Sequence, residues 1–195
     1  MREVMMTEMT EIRWHGRGGQ GAKTAAILLA EAALSEDKHS QGFPEYGPER
    51  EGAPMRGFTR ISDSPIRLHC TIDSPHVVVV LDDTLLETVD VCSGLVKGGT
   101  VVVNTAQKSE DVRKRLSASE PRLFTVNATQ IALDEIGRPI PNTPMLGALI
   151  KATGILQIET IYDDVRDKLG KKFTRQIIDG NVNAVKRAYE EVTEG

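Results

Sequence analysis

The sequence predicts an α/β protein in which a mostly parallel sheet is covered by helices on both faces. Apolar, β-branched runs at residues 77–81 and 100–104 have the composition of strands that are buried on both faces. Helical patterns alternate with these runs, and a glycine turn at 16–21 joins a strand to a helix rich in small residues. Together these observations favour a three-layer α/β/α domain with an added antiparallel hairpin and C-terminal helices.

The first part of the chain predicts a strand, a helix, an irregular segment and a hairpin. Two runs with period-2 alternation flank Asp63-Ser64-Pro65, which is typical of an antiparallel pair. The alternation places Cys70 on the apolar face of the second run, so we expect it to pack in the core. In order, the predicted elements are a strand at 11–15, a helix at 21–35, an irregular Gly/Pro-rich segment at 38–54, and hairpin strands at 58–62 and 66–72.

The remainder alternates strands and helices before ending in helices alone. Thr84-Leu85-Leu86-Glu87 has the spacing of a capping box and predicts a helix that opens there. The predicted elements are strands at 77–81, 100–104 and 123–127, and helices from 84 and at 108–116, 129–136, 145–153, 159–169 and 174–192.

Size and charge limit the classes of function. The 195 residues fit one domain, predicted at 11–195 after a flexible tail at 1–10. With 24 Lys and Arg against 28 Asp and Glu, the net charge of −4 provides no electrostatic footprint for nucleic acid. No apolar run is long enough to span a bilayer, and the acidic N-terminal residues do not resemble a signal peptide. We therefore expect a cytoplasmic protein whose two cysteines are reduced and hold no metal.

The glycine turn is a candidate ligand site. Glycines allow positive φ and close approach of a ligand, while the start of the next helix attracts anions. A dinucleotide-binding unit also needs a second strand that ends in an acid, and no strand leads into Glu36 or Asp37. We expect a phosphate-bearing ligand or a partner backbone here, the alternative being a purely structural turn. The candidate binding residues are Gly16, Arg17, Gly18, Gly19, Gln20 and Gly21.

Polar residues follow several predicted strands at the edge where α/β proteins bind ligands. They are Asp82, Asn104 and Asn127. The alternative is that Asp82 and Asn104 only cap helices. The sequence contains no nucleophile elbow and no histidines at metal spacing, so we expect no catalytic residues and no metal site in this chain.

The segment 43–60 is a candidate partner interface. It combines aromatic residues with arginines in a stretch that lacks periodicity, a mixture that is enriched at interfaces. The alternative is a surface loop with scattered charges. The candidate interface residues are Tyr46, Glu49, Arg50, Arg56 and Phe58.

Five stretches together resemble the gamma subunit of the 2-oxoacid:ferredoxin oxidoreductases, over about residues 11–189. They are the glycine turn with Thr24-Ala25-Ala26, the segment FPEYGPEREGAP at 43–54, Ile61-Ser62-Asp63-Ser64-Pro65-Ile66, Val79-Val80-Leu81-Asp82, and Asn142-Thr143-Pro144-Met145-Leu146-Gly147-Ala148. The segment at 43–54 is most similar to the pyruvate branch of the family.

The resemblance implies one subunit of an enzyme that oxidatively decarboxylates pyruvate to acetyl-CoA and reduces ferredoxin, or runs in reverse. It implies alpha, beta and delta subunits as partners, which carry thiamine diphosphate, magnesium and 4Fe-4S clusters. It also implies that this domain helps to hold coenzyme A, and we expect the CoA phosphates at the glycine turn. The alternatives are a gamma subunit for 2-oxoglutarate or branched-chain substrates, and a free-standing nucleotide-binding dehydrogenase or regulator.

Overall fold

A computed structural model describes residues 9–45, 52–118, 120–170 and 173–195 of the chain. The described strands are β1 (Met9–Arg17), β2 (His39–Pro44), β3 (Pro54–Ser62), β4 (Val77–Val80), β5 (Thr100–Asn104), β6 (Arg122–Val126) and β7 (Thr193–Glu194). The helices are α1 (Ala22–Leu34), α2 (Ser109–Arg113), α3 (Ala128–Ile136), α4 (Asn142–Thr153), α5 (Ile158–Gly170) and α6 (Arg175–Glu191), with a 3₁₀ segment at Asp83–Glu87.

The described strands form one sheet in the order β2-β3-β1-β4-β5-β6-β7. Strands β1, β4, β5 and β6 run parallel and form its centre. β2, β3 and β7 pair antiparallel at the two sides. The predicted α/β fold with a parallel sheet, an antiparallel hairpin and C-terminal helices is confirmed.

The two faces of the sheet are covered unequally. Helices α1, α3, α4, α5 and α6 all contribute to one apolar core, which includes Trp14 and Val102 from the sheet. The opposite core, around Val78 and Val103, is smaller and is covered by the 3₁₀ segment, the following loop and the short helix α2. The third layer is therefore thin.

Helix α1 packs almost directly on the backbone of β2 and β3. A Cβ atom at Gly42 would lie 2.8 Å from the carbonyl oxygen of Ala26, and one at Gly57 would lie 3.2 Å from that of Ala22. Thr59 completes the contact by donating from its hydroxyl to Ala26 O over 2.8 Å, and it accepts from Trp14 Nε1 over 3.0 Å. The small residues of α1, β2 and β3 thus set the distance between helix and sheet.

Helices α4 and α6 meet at a second close contact. A Cβ atom at Gly147 would lie 2.1 Å from the carbonyl oxygen of Val185. The backbones therefore touch, and any larger residue at 147 must push the two helices apart.

An antiparallel hairpin is present, but one of its two strands is not the predicted one. The stretch expected to be irregular contains β2, which pairs with β3 from His39↔Ser62 to Pro44↔Gly57. β3 lies between β1 and β2, so neither of its edges is free for residues 66–72. Those residues form no strand despite their alternation. Tertiary pairing, rather than local periodicity, decided which run became a strand.

Two local predictions were also wrong. Cys70 is exposed, because the strand that would have carried it inward does not form. Thr84 is not the N-cap of a helix. The 3₁₀ segment begins at Asp83, and Asp82 is its N-cap. Strand β7 was not predicted. The tail predicted at 1–10 lies outside the described residues, apart from Met9 and Thr10, which begin β1.

None of the helices within the described ranges has the length and apolar character needed to cross a bilayer. The same part of the chain contains no cluster of His, Cys, Asp and Glu that could hold a metal ion.

We expect Gly147→Ala to destabilise the fold by about 3 kcal/mol, because the added methyl group overpacks the α4–α6 contact. Urea denaturation followed by circular dichroism measures the change. Gly170→Ala is the matched control, since a Cβ atom there would meet nothing within 4 Å, and we expect no loss of stability. Equal stability of the two variants would contradict the close contact.

Candidate functional site

The glycine turn connects β1 to α1 at the carboxyl end of the parallel strands. Gly19 and Gly21 have φ angles of 97° and 81°, which side chains with a Cβ rarely adopt. Gly18 is held by backbone bonds to the loop before β3, since its N–H donates to Ala53 O over 2.9 Å and its carbonyl accepts from Gly52 N over 3.1 Å. The turn is therefore an ordered part of the sheet edge.

Asp82, directly after β4, ties the turn to the next strand. One carboxylate oxygen accepts from Gln20 Nε2 over 2.7 Å and lies 3.3 Å from Arg17 Nε. The other oxygen accepts from the backbone N–H of Thr84 over 3.0 Å and from its hydroxyl. Arg17 also donates to the Thr84 hydroxyl over 2.8 Å. The side chains of the turn are thus organised by an internal carboxylate.

This network keeps Asp82 ionised. Burial alone raises the pKa of its carboxyl group, but the hydrogen bonds from Thr84 and Gln20 and the charge of Arg17 outweigh burial. The pKa of Asp82 consequently lies below its ordinary value. The charge of Arg17 is correspondingly compensated within the chain.

Asn142, at the start of α4, is a second wall of the site. A Cβ atom at Gly21 would lie 2.5 Å from Asn142 Nδ2, so two helix starts meet at the turn. Asn142 belongs to the stretch that carries the family resemblance, and no site role was predicted for it. A short polar residue at this point is typical of a helix start.

The turn has the groups needed to bind an anion. The first N–H groups of an α-helix lack partners within the helix, and no side chain of the described residues caps α1. Space beside Gly19 is open, because a Cβ atom there would meet nothing within 4 Å. Lys23 in the first turn of α1 is exposed. Since Asp82 compensates Arg17, the attraction comes mainly from the helix start and Lys23.

The other predicted edge residues serve the fold. Asn104 donates to Leu81 O and to the Thr129 hydroxyl over 2.8 Å each, and it accepts from Thr129 N over 3.1 Å. Asn127 caps α3 by accepting from Gln130 N. Asp82 does cap the 3₁₀ segment, as the alternative predicted, but it also binds Gln20 and Arg17 of the glycine turn. Asn104 caps no helix and instead links β4, β5 and α3.

The structure disfavours a dinucleotide-binding unit. The strand after α1 is β2, an antiparallel edge strand, whereas that unit requires a second parallel strand beside the first. Glu36, the residue at the expected distance for a ribose contact, accepts from Gln157 N over 2.7 Å.

The predicted interface residues are only partly described. Tyr46, Glu49 and Arg50 lie outside the described residues. Arg56 pairs with Glu45 through both its Nε, over 2.7 Å, and its Nη2, and its side chain is 41% exposed. Phe58 is fully buried and stacks near Phe43, with ring centroids 5.3 Å apart. Phe58 therefore serves the core of this chain, and an interface role stays a prediction for the others.

Comparison with known proteins gives a consistent result. The family model described as pyruvate ferredoxin/flavodoxin oxidoreductase matches residues 11–191. The chain is 52% identical over 182 residues to "Pyruvate synthase subunit PorC" of Thermotoga maritima, covering 93% of this chain and 94% of that protein. It is 51% identical over 186 residues to "Pyruvate/ketoisovalerate oxidoreductases common subunit gamma" of Thermococcus litoralis, covering 93% and 96%.

A solved structure has the same fold. The crystal structure of pyruvate oxidoreductase subunit PORC from Thermotoga maritima superimposes with a TM-score of 0.86 at 47% sequence identity. The match covers 97% of this chain and 99% of that one.

We expect Asp82→Asn to destabilise the chain by about 1–2 kcal/mol at pH 7, because Arg17 loses its counter-charge. The folded-state pKa of Asp82 is lowered from 3.8, so its contribution is present above that value and is lost as pH falls through the folded pKa. The free energies of unfolding of wild type and variant should therefore converge below about pH 4, as urea titrations across pH would measure. A difference that is constant with pH would contradict a role for the charge.

Proposed function

Because this chain belongs to the pyruvate ferredoxin/flavodoxin oxidoreductase family, we propose that it is the gamma subunit of a 2-oxoacid:ferredoxin oxidoreductase that acts on pyruvate. The observation that carries the proposal is 52% sequence identity over 93% of the chain to a pyruvate synthase subunit. The matched region includes both the glycine turn and the close helix contacts that shape it.

In this proposal the complete cytoplasmic enzyme converts pyruvate and CoA to acetyl-CoA and carbon dioxide while it reduces ferredoxin, or runs in reverse. Alpha, beta and delta subunits supply thiamine diphosphate, magnesium and the 4Fe-4S clusters. Two cysteines in the whole sequence are too few for the usual set of four cluster ligands, which supports this division. The gamma chain then contributes assembly and part of the CoA site.

Pyruvate is the favoured substrate, and branched-chain 2-oxoacids are the main alternative. The relative from Thermotoga maritima is named for pyruvate alone, whereas the relative from Thermococcus litoralis is named for pyruvate and ketoisovalerate. We propose pyruvate because the segment at 43–54 is most similar to the pyruvate branch.

We further propose that the glycine turn holds a phosphate of CoA. The open space beside Gly19, the uncapped start of α1 and the exposed Lys23 suit a phosphate group. Residues Gly16, Arg17, Gly18, Gly19, Gln20 and Gly21 form the turn, with Asp82 holding Arg17 and Gln20 in place.

The segment around β2 and β3 is proposed as the contact with the other subunits. Arg56 is partly exposed and pairs with Glu45, which directly precedes in sequence the undescribed residues that include Tyr46, Glu49 and Arg50. Tyr46 and Arg50, which lie close in sequence to the Glu45–Arg56 ion pair, give this segment the composition of a binding hot spot.

Co-expression of this chain with the other subunits tests the proposed function. We expect a complex that reduces a dye acceptor with pyruvate and CoA, whereas the isolated chain has no activity. Tyr46→Ala and Arg50→Ala should each weaken assembly by about tenfold, as measured by the concentration of gamma chain that restores half of the activity. Activity of the isolated chain, or failure to form a complex, would overturn the proposal.

Arg175→Ala provides the matched control, since Arg175 lies in the helical layer with its side chain 94% exposed. We expect it to assemble like wild type. Equal assembly of all three variants would reject the interface while leaving the subunit proposal intact.

For the CoA site, we expect Lys23→Gln in the assembled enzyme to raise the KM for CoA two- to fivefold, roughly the effect of one charge at a helix start. The KM for pyruvate should not change. Lys97→Gln, an exposed lysine in the loop before β5, is the control and should leave both constants unchanged. An unaltered KM for CoA in Lys23→Gln would indicate that the turn is purely structural.

A further inference from the structure

A cavity of about 280 Å³ lies on the face of the sheet opposite the main helical core. Its lining includes Arg13 and His15 from β1, Arg56 from β3, and Leu85 and Val89 from the segment after β4. None of these residues has a role in the proposed CoA site.

Arg13 and His15 are buried donors that the protein only partly uses. Their side chains are 3% exposed each. Arg13 Nε donates to His15 Nε2 over 3.1 Å, and Arg13 Nη2 donates to the carbonyl oxygens of Val91 and Ser93. A guanidinium can only donate, so His15 Nε2 is the acceptor and its ring proton lies on Nδ1.

His15 is uncharged under physiological conditions. Burial, followed by the charges of Arg13 and Arg56, lowers its pKa to about 3. Its Nδ1–H is therefore a neutral donor that does not titrate between pH 5 and 8.

Arg13 Nη1 and His15 Nδ1 have no partner among the described residues. In the same part of the chain, no side-chain nitrogen or oxygen that is sealed from solvent lacks a hydrogen bond. Both side chains line the cavity, so these two nitrogens are the donors that they offer to a ligand there.

The charges around the cavity select the class of ligand. Its inner part carries the Arg13 guanidinium, which attracts an anionic oxygen. Arg56 is already paired with Glu45, and the exposed Asp73 and Asp90 stand at the rim. A dianion would be repelled by these carboxylates, whereas a single carboxylate matches one free guanidinium edge and one imidazole donor.

We propose that this cavity binds a monocarboxylate group, held by Arg13 Nη1 and His15 Nδ1–H. The group comes either from a small carboxylic acid or from an Asp or Glu side chain of a neighbouring subunit. The inference does not depend on the proposed function, since the first test uses the full chain alone.

The test is an NMR titration of the full ¹⁵N-labelled chain with sodium acetate at pH 7, against matched sodium chloride. We expect saturable shifts of the His15 ring nitrogens and the Arg13 side chain with acetate only. Inorganic phosphate at the same pH should bind more weakly. No saturable shift with acetate would overturn the proposal, whether or not any variant folds.

Two substitutions of His15 separate ligand binding from support of Arg13. His15→Gln can still accept from Arg13 Nε but lacks the Nδ1 donor, so acetate affinity should fall about tenfold. His15→Asn keeps a donor near the Nδ1 position and should bind acetate within about threefold of wild type. Unchanged affinity in His15→Gln, once it is shown to be folded, would also reject the proposal.

A second arm identifies the source of the carboxylate and does rest on the proposed function. If a neighbouring subunit supplies it, His15→Gln should weaken assembly of the complex while His15→Asn does not. If the ligand is a small acid, both variants should assemble like wild type. Failure of the wild-type chain to assemble would count against the proposed function and leave the acetate result standing.

Discussion

The close contact of α1 with the sheet determines the position of the glycine turn. Alanines of the helix face Gly42 and Gly57, and a Cβ atom at Gly42 would lie 2.8 Å from the helix backbone. With the helix fixed at this distance, Gly21 reaches Asn142 and Gln20 reaches Asp82. The position of the turn therefore depends on the glycines at 42 and 57, although neither belongs to the turn itself.

The face of the sheet opposite the main helical core relies on a different kind of interaction. Arg13 and Arg60 are buried charges, which are costly unless hydrogen bonds satisfy them. Arg60 pairs with Glu11 over 2.8 Å and donates to Thr71 O over 3.3 Å, while Arg13 binds the carbonyls of Val91 and Ser93. Two guanidinium groups thus hold irregular segments over strands that a helix would otherwise cover.

Much of the fold could be predicted from local patterns. The valine runs of β4 and β5 are buried on both faces, and their composition alone indicated strands. The strand predicted at 66–72 was wrong, because the alternation of residue types cannot reveal that both edges of β3 are already paired. β2 was missed because Gly42 weakens strand propensity, yet the contact with α1 requires a glycine there.

The sequence predicted where the candidate site lies, but not the hydrogen bonds that organise it. The glycine spacing identified the turn, and the residues after the strands identified Asp82. The link between Gln20 and Asp82 spans 62 positions, and only the parallel pairing of β1 with β4 brings them together. The burial of Arg13 and His15 could not be predicted from the sequence. Their alternation with Ile12 and Trp14 is typical of a strand with one solvent-exposed polar face, whereas Arg13 and His15 are buried.

The strand order has a consequence for the growing polypeptide. β1 is made first and lies inside the sheet; β3 and β2 extend it on one side, and β4, β5 and β6 extend it on the other in the order of their synthesis. Each of β3 to β6 can therefore dock on a strand that already exists. Helix α4, which packs on β5 and β6, follows all of them in the chain. Until α4 (Asn142–Thr153) has left the ribosome, the valine strands of the nascent sheet stay open to water and to other chains, so we expect the chain to be most prone to aggregation after β6 is made and before α4 is complete.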